Sequence, residues 1–231
     1  MKLSSTQVSL IAVFAALQAL FALLPYAIPV GVSGQITLGI VGGSLIGILL
    51  GPVTGGSAVL IGSFIGVFLN PSGAIFSILT VLPPTVAAIA AGCVKLRRGY
   101  VAGGIMLASL LVFYAHPYGG ELLVYPWLSI IAMIIAFSPL AFMAGSSFKS
   151  SGRIRLVFAI IIAAFVGALA DKIVGDAIAI WYFSPGLTPP IWYSIMYVYP
   201  FERIFATFLI TIITVPVYYG LKKANVIDSL K

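Results

Sequence analysis

Apolar residues come in eight long blocks, roughly 7–28, 36–50, 53–69, 74–94, 100–116, 126–147, 156–182 and 197–221. Short stretches rich in Gly, Pro, aromatic and charged residues part them. Within each block the apolar run is continuous rather than alternating, so the pattern predicts helices and not the strands of a membrane barrel. A hydrocarbon core about 30 Å thick takes about 20 helical residues. The second and third blocks are short for it, which leaves them tilted, re-entrant, or longer than their apolar cores. The expected fold is all-α, a polytopic membrane bundle of six to eight transmembrane helices. The blocks nearly fill the chain, which therefore reads as a single transmembrane domain over residues 1–231. The first block is long for the apolar part of a signal peptide and reads as a retained span.

Composition agrees. Of the 231 residues 61% are hydrophobic and 7% charged, and mean hydropathy is +1.19, against about 25% charged residues in soluble domains. The net charge of +7 comes from clusters at block ends: Lys2; Lys95, Arg97 and Arg98; Lys149, Arg153 and Arg155; Lys222 and Lys223. It therefore reports orientation in the bilayer rather than nucleic-acid binding. Placing every cluster in the cytoplasm requires an even number of crossings between them. Eight spans meet that condition with both termini inside, as do six if one pair is re-entrant. A multi-pass protein of the cell membrane is the expected localisation.

Under this topology the outside loops are 29–35, 70–73, 117–125 and 183–196. Aromatic residues crowd two of them: Tyr114, Tyr118, Tyr125 and Trp127 near one, and Trp181, Tyr182, Trp192, Tyr193, Tyr197 and Tyr199 around the other. Two readings stand, an interfacial belt or a lid that stacks on a planar ligand, the latter making Trp127 and Trp192 candidate ligand contacts. Cys93 is the single cysteine, which excludes a disulfide framework and an all-cysteine metal site. No cofactor and no metal ligand set is expected.

Small residues mark the packing faces. In "IAVFAALQALFALL", Ala12, Ala15, Ala16, Ala19 and Ala22 recur every three or four residues. Such a stripe lets backbones approach closely, either inside the bundle or against another membrane subunit. Glycines crowd the next two blocks, and "LLGPVTGG" breaks the chain at Gly51–Pro52 into a tight cytoplasmic turn. It has no Lys and is no phosphate-binding loop.

The stretches "AVFAALQAL", "GQITLG", "LIGILLGPVTGG" and "LRRG" together resemble the substrate-binding S component of energy-coupling factor (ECF) transporters, as does the closing "YPFERIFATFLITIITVPVYYGLKK". The resemblance covers roughly residues 8–115 and 198–223. It implies a vitamin-like small solute, a transmembrane coupling subunit on which Ala12, Ala15, Ala16 and Ala19 would dock, and two ATPase subunits that drive the cycle. It implies that Gly47, Gly51 and Pro52 form the turn between the second and third spans. It also implies a six-helix core, so 126–182 suggests an added helical pair.

Charge inside the apolar blocks is the strongest chemical signal. "ALADKIVGDAIAIWYF" carries Asp171, Lys172 and Asp176, and the last block opens with Glu202 and Arg203. At about 1.5 Å per helical residue all five fall in the outer half of the bilayer. Each costs about 2.5–3.5 kcal/mol at a helix centre, so none is expected to face lipid. Lys172 and Asp176 are spaced i, i+4 and can pair; Asp171 points about 100° away, toward Arg203 or Glu202. Either these charges lock two helices together or they line a polar cavity for a solute, with Asn70 and Gln35 adding uncharged hydrogen bonds. A self-sufficient proton-coupled transporter using Asp171 or Glu202 is the alternative. "GVSG" at 31–34 with His116 raises an intramembrane serine protease more remotely, and "VGD" at 174–176 lacks the first glycine of the aspartyl type. A binding subunit and not an enzyme is the reading carried forward.

Overall fold

A computed structural model describes residues 4–23, 27–30, 34–150, 152–224 and 226, with the backbone alone for 27–30 and 34–38. Its elements are α1 (Ser5–Leu23), β1 (Ala27–Val30), β2 (Gly34–Thr37), α2 (Leu38–Leu50), α3 (Pro52–Leu69), α4 (Leu82–Lys95), α5 (Gly99–Tyr114), α6 (Trp127–Phe137), α7 (Pro139–Ser147), α8 (Arg153–Tyr182) and α9 (Pro189–Lys223). Five described helical segments are long and apolar enough to cross a membrane, and α6 with α7 makes a sixth, bent by 66°. α2 and α5 are shorter apolar helices. The protein is a helical membrane bundle.

Close approaches show that successive helices alternate in direction. Gly62 and Gly66 of α3 meet Ala15 and Ala22 of α1 in parallel, and Gly43 and Gly47 of α2 meet Pro84 and Ala88 of α4 in parallel. Gly167 of α8 meets Ala87 and Ala91 of α4, whereas Gly175 approaches Pro83, so these two run antiparallel. Small residues thus occupy these tight crossings, as packing without a hydrophobic drive between helices requires. The described Lys and Arg residues other than Lys172 and Arg203 lie near helix ends toward one end of the bundle, where Lys95 donates to the Leu49 carbonyl at 2.7 Å, closing the C-terminal end of α2. Glu121, Asp171, Asp176 and Glu202 lie toward the opposite end, which the charge rule assigns to the outside.

The turn between α2 and α3 follows from two residues. Gly51 holds φ at 86°, a conformation costly for any residue with a Cβ, and Pro52 starts α3 at a position where its missing N–H costs nothing. A Cβ at Gly47 would collide with the Ala88 backbone, whereas one at Gly104 would meet open space. Gly47→Ala is therefore expected to lower thermal stability in detergent by about 1–3 kcal/mol, with Gly104→Ala neutral or stabilising. Equal stability of the two variants would contradict the tight α2–α4 crossing.

The structure departs from the sequence pattern in three places. Residues 27–30 and 34–37 form a two-stranded antiparallel pairing, Ala27 opposite Thr37 and Val30 opposite Gly34, where the pattern predicts an outside loop at 29–35. The block 126–147 is broken at Ser138–Pro139, where Ser138 caps α7 through its side chain. The last helix starts at Pro189, not near 197, with Pro189 in its first turn and Pro200 inside it. The loop expected over 183–196 shrinks to 183–188.

Candidate functional site

α8 has 30 residues, a length of about 45 Å, and its outer half packs between α4 and α9. This brings the five intramembrane charges together, each at most 8% exposed. Lys172 and Asp176 form the i, i+4 ion pair, and the Lys172 Nζ also donates to the Tyr125 hydroxyl at 2.7 Å. That hydroxyl lies 3.3 Å from the Asp176 carboxylate and donates to it. The same ammonium sits over the rings of Tyr125 and Tyr199, at 4.9 and 4.7 Å, a favourable placement for a cation removed from water. Across the helix, Arg203 Nη1 donates to Asp171 at 2.7 Å and to the Ala168 carbonyl at 3.3 Å. Glu202 lies 3.5 Å from Arg203 Nη2.

A cavity of about 570 Å³ opens beside these pairs, within the range of small-molecule sites. Asp171, Lys172, Asp176 and Arg203 form its charged side on α8 and α9. Gln18 of α1 and Ser63 of α3 line the side made by those helices, and Asn70, Phe76 and Thr80 line it toward the outer end. A larger groove, about 1130 Å³, runs between α8 and α9 along Val157, Ile161, Phe208 and Ile212. It lies on the apolar flank with Arg153 as its single charge. The buried charges converge on the smaller cavity, which makes it the candidate site.

Several expected contacts change. Glu202 does not line the cavity; it lies beside Arg203 and compensates its charge. Trp127 is 39% exposed and is not part of the cavity wall. Trp192 is 2% exposed, packed edge-on against Phe113 and Tyr125, so it supports the ring beneath Lys172 rather than meeting a ligand. Tyr125, Trp192 and Tyr199 are thus a buried aromatic packing unit, while Trp181, Tyr182, Tyr193 and Tyr197 stay exposed as a belt. The side chain of Gln35 lies outside the described residues, as does Ser33. His116 accepts from the Tyr118 N–H through Nδ1 at 3.2 Å and packs edge-on against Trp181 at 4.9 Å, a structural placement.

The alanine stripe splits between two faces of α1. Ala15 and Ala19 are buried, Ala15 against Gly62 of α3, and so cannot reach a partner. Ala12 and Ala16 are exposed. Gln18, absent from the candidates that the sequence pattern singles out, is 1% exposed. A polar side chain deep in an apolar helix is its signal.

A helical membrane protein with a solute-sized, charge-lined cavity in its outer half is the class these features define. Residues 2–171 match the family model for the ECF-type riboflavin transporter, S component. That is about three quarters of the chain, and the chain belongs to this family. The match runs through 116–171, beyond the stretches that carry the resemblance by eye, and ends at Asp171, short of Lys172, Asp176, Glu202 and Arg203. An uncharacterized protein of Methanocaldococcus jannaschii is 31% identical over 136 residues. The match covers 59% of this chain and 46% of that protein, so the chain spans under half the length of this curated relative. No solved structure matches.

Proposed function

We propose that this chain is the solute-capturing subunit of an ECF-type uptake transporter in the cell membrane, that its cavity takes riboflavin, and that it works with a transmembrane coupling subunit and two ATPase subunits. The observation that carries the reading is the meeting of Asp171, Lys172, Asp176 and Arg203 on one side of a single cavity in the outer half of the bundle. Riboflavin comes from the name of the matched family, and the cavity chemistry suits it. A flavin is a flat, mostly apolar ring system with hydrogen-bonding edges and a hydroxylated chain. Ile75, Phe76 and Pro83 offer apolar contact, and paired charges of both signs offer donors and acceptors without imposing a net charge. Asn70 adds an uncharged partner at the outer rim.

Residues 1–231 form one transmembrane domain in this reading, and the docking face on the coupling subunit is the exposed part of the alanine stripe, Ala12 and Ala16. Small exposed residues on a helix allow close approach of another helix.

Reconstitution in liposomes tests the proposal. The chain alone binds riboflavin but does not accumulate it under a proton or sodium gradient; with coupling and ATPase subunits it accumulates riboflavin when ATP is supplied. Ala12→Leu combined with Ala16→Leu abolishes that uptake and leaves binding unchanged. Gradient-driven accumulation by the chain alone would overturn the proposal in favour of a self-sufficient transporter.

A further inference from the structure

Gln18 is buried at the junction of α1, α2 and α3, and its side-chain amide is only half used. Its Nε2 donates to Ser63 Oγ at 3.3 Å, while Oε1 is fully buried and finds no partner among the described residues. A buried carbonyl left without a donor is destabilising, so such an atom needs an explanation. Three facts bear on it. Gln18 and Ser63 both line the cavity. The cavity's opposite side is held by charges that already have partners. Gly42, which faces Gln18, has no side chain, and a Cβ there would strike Oε1. The glycine leaves the amide its place at the cavity wall.

Resting on the flavin reading above, we propose that Gln18 is a specificity-determining residue whose Oε1 accepts a hydrogen bond from an N–H or O–H of the bound solute, with Ser63 fixing the amide's orientation. The site then favours solutes that carry a donor at this position, because they pair a carbonyl that is already buried without a partner, whereas a solute lacking the donor leaves it unpaired. Discrimination of this kind is stronger than a shape difference of one methylene gives. Methionine is a near-isosteric apolar replacement, so Gln18→Met removes the orphaned carbonyl without opening a void.

The experiment measures affinities of wild type and Gln18→Met for riboflavin, 3-methylriboflavin and lumiflavin, together with thermal stability of both proteins without ligand. Riboflavin has two kinds of donor. Methylation removes the ring N–H, and lumiflavin lacks every chain hydroxyl. The expected result is about tenfold weaker riboflavin binding by Gln18→Met, with the wild-type and variant affinities agreeing within about twofold for one of the two analogues. Ligand-free thermal stability is close to that of wild type, since the variant removes the unsatisfied Oε1 but also the Nε2 donor to the Ser63 hydroxyl. Equal weakening for all three flavins, or wild-type binding of all three, overturns the inference, as does a fall in ligand-free stability, which would make Gln18 a structural tie. A wild-type chain that binds none of the three rejects the flavin reading itself and the Gln18 inference with it.

Discussion

Arg203→Met is expected to destabilise the protein by about 3–5 kcal/mol, the cost of removing one partner from a buried charge pair. Arg203 holds Asp171 at 2.7 Å and Glu202 at 3.5 Å, all three with side chains no more than 10% exposed. Without the guanidinium two carboxylates share an apolar site, and the Ala168 carbonyl loses a donor. Asp171→Asn in the same chain restores part of the loss. The triple variant Arg203→Met, Asp171→Asn, Glu202→Gln restores most of it, because no unpaired charge remains. Unfolding midpoints measured by heat or detergent denaturation, with riboflavin affinity measured separately, distinguish support from binding. The triple variant folds but binds weakly if Arg203 and Asp171 face the solute, as the cavity wall indicates. A single Arg203→Met variant within about 1 kcal/mol of wild type would mean that water reaches these charges.

Much of this arrangement is legible in the sequence, and the parts that are not have identifiable reasons. Each of the eight apolar blocks holds a helix, with α6 and α7 sharing one, and charge within apolar runs singles out all five buried Asp, Glu, Lys and Arg residues of α8 and α9. The i, i+4 spacing of Lys172 and Asp176 implies their pairing because one helix sets that distance. The pairing of Asp171 with Arg203 spans 32 residues in sequence; helix phase points toward Arg203 or Glu202, and packing of α8 on α9 decides between them. The inward turn of Ala15 and Ala19 is hidden for a different reason. α1 is apolar around most of its circumference, so no polar face shows which side meets α3. The same uniformity conceals the break at Ser138–Pro139. Pro189, Pro190 and the aromatics after them resemble a loop in composition, yet they occupy the first turns of α9, where proline is tolerated. Glu202 shows the limit of depth arguments, since residues at one depth can face a cavity or a neighbouring side chain. The family match ends at Asp171, so the roles given to Lys172, Asp176 and Arg203 rest on the geometry of this chain.

The central claim is that the cavity between α1, α3, α4 and α8 is where the solute binds, and Gly175 offers the sharpest test of it. Gly175 lines the cavity from α8, and a Cβ there would meet only the Pro83 ring, at the ordinary contact distance of 3.9 Å. Replacing glycine inside a helix removes a conformational cost of about 0.5–1 kcal/mol, so Gly175→Leu should fold at least as well as wild type. Its side chain extends into space the solute would occupy, beside Asp171 one turn earlier on the same helix face. Riboflavin affinity of purified Gly175→Leu, measured by equilibrium titration alongside its unfolding midpoint, therefore separates binding from folding. The account predicts an unfolding midpoint at or above the wild-type value and at least a hundredfold loss of affinity, about 2.7 kcal/mol. A folded Gly175→Leu variant that binds riboflavin as tightly as wild type would contradict it.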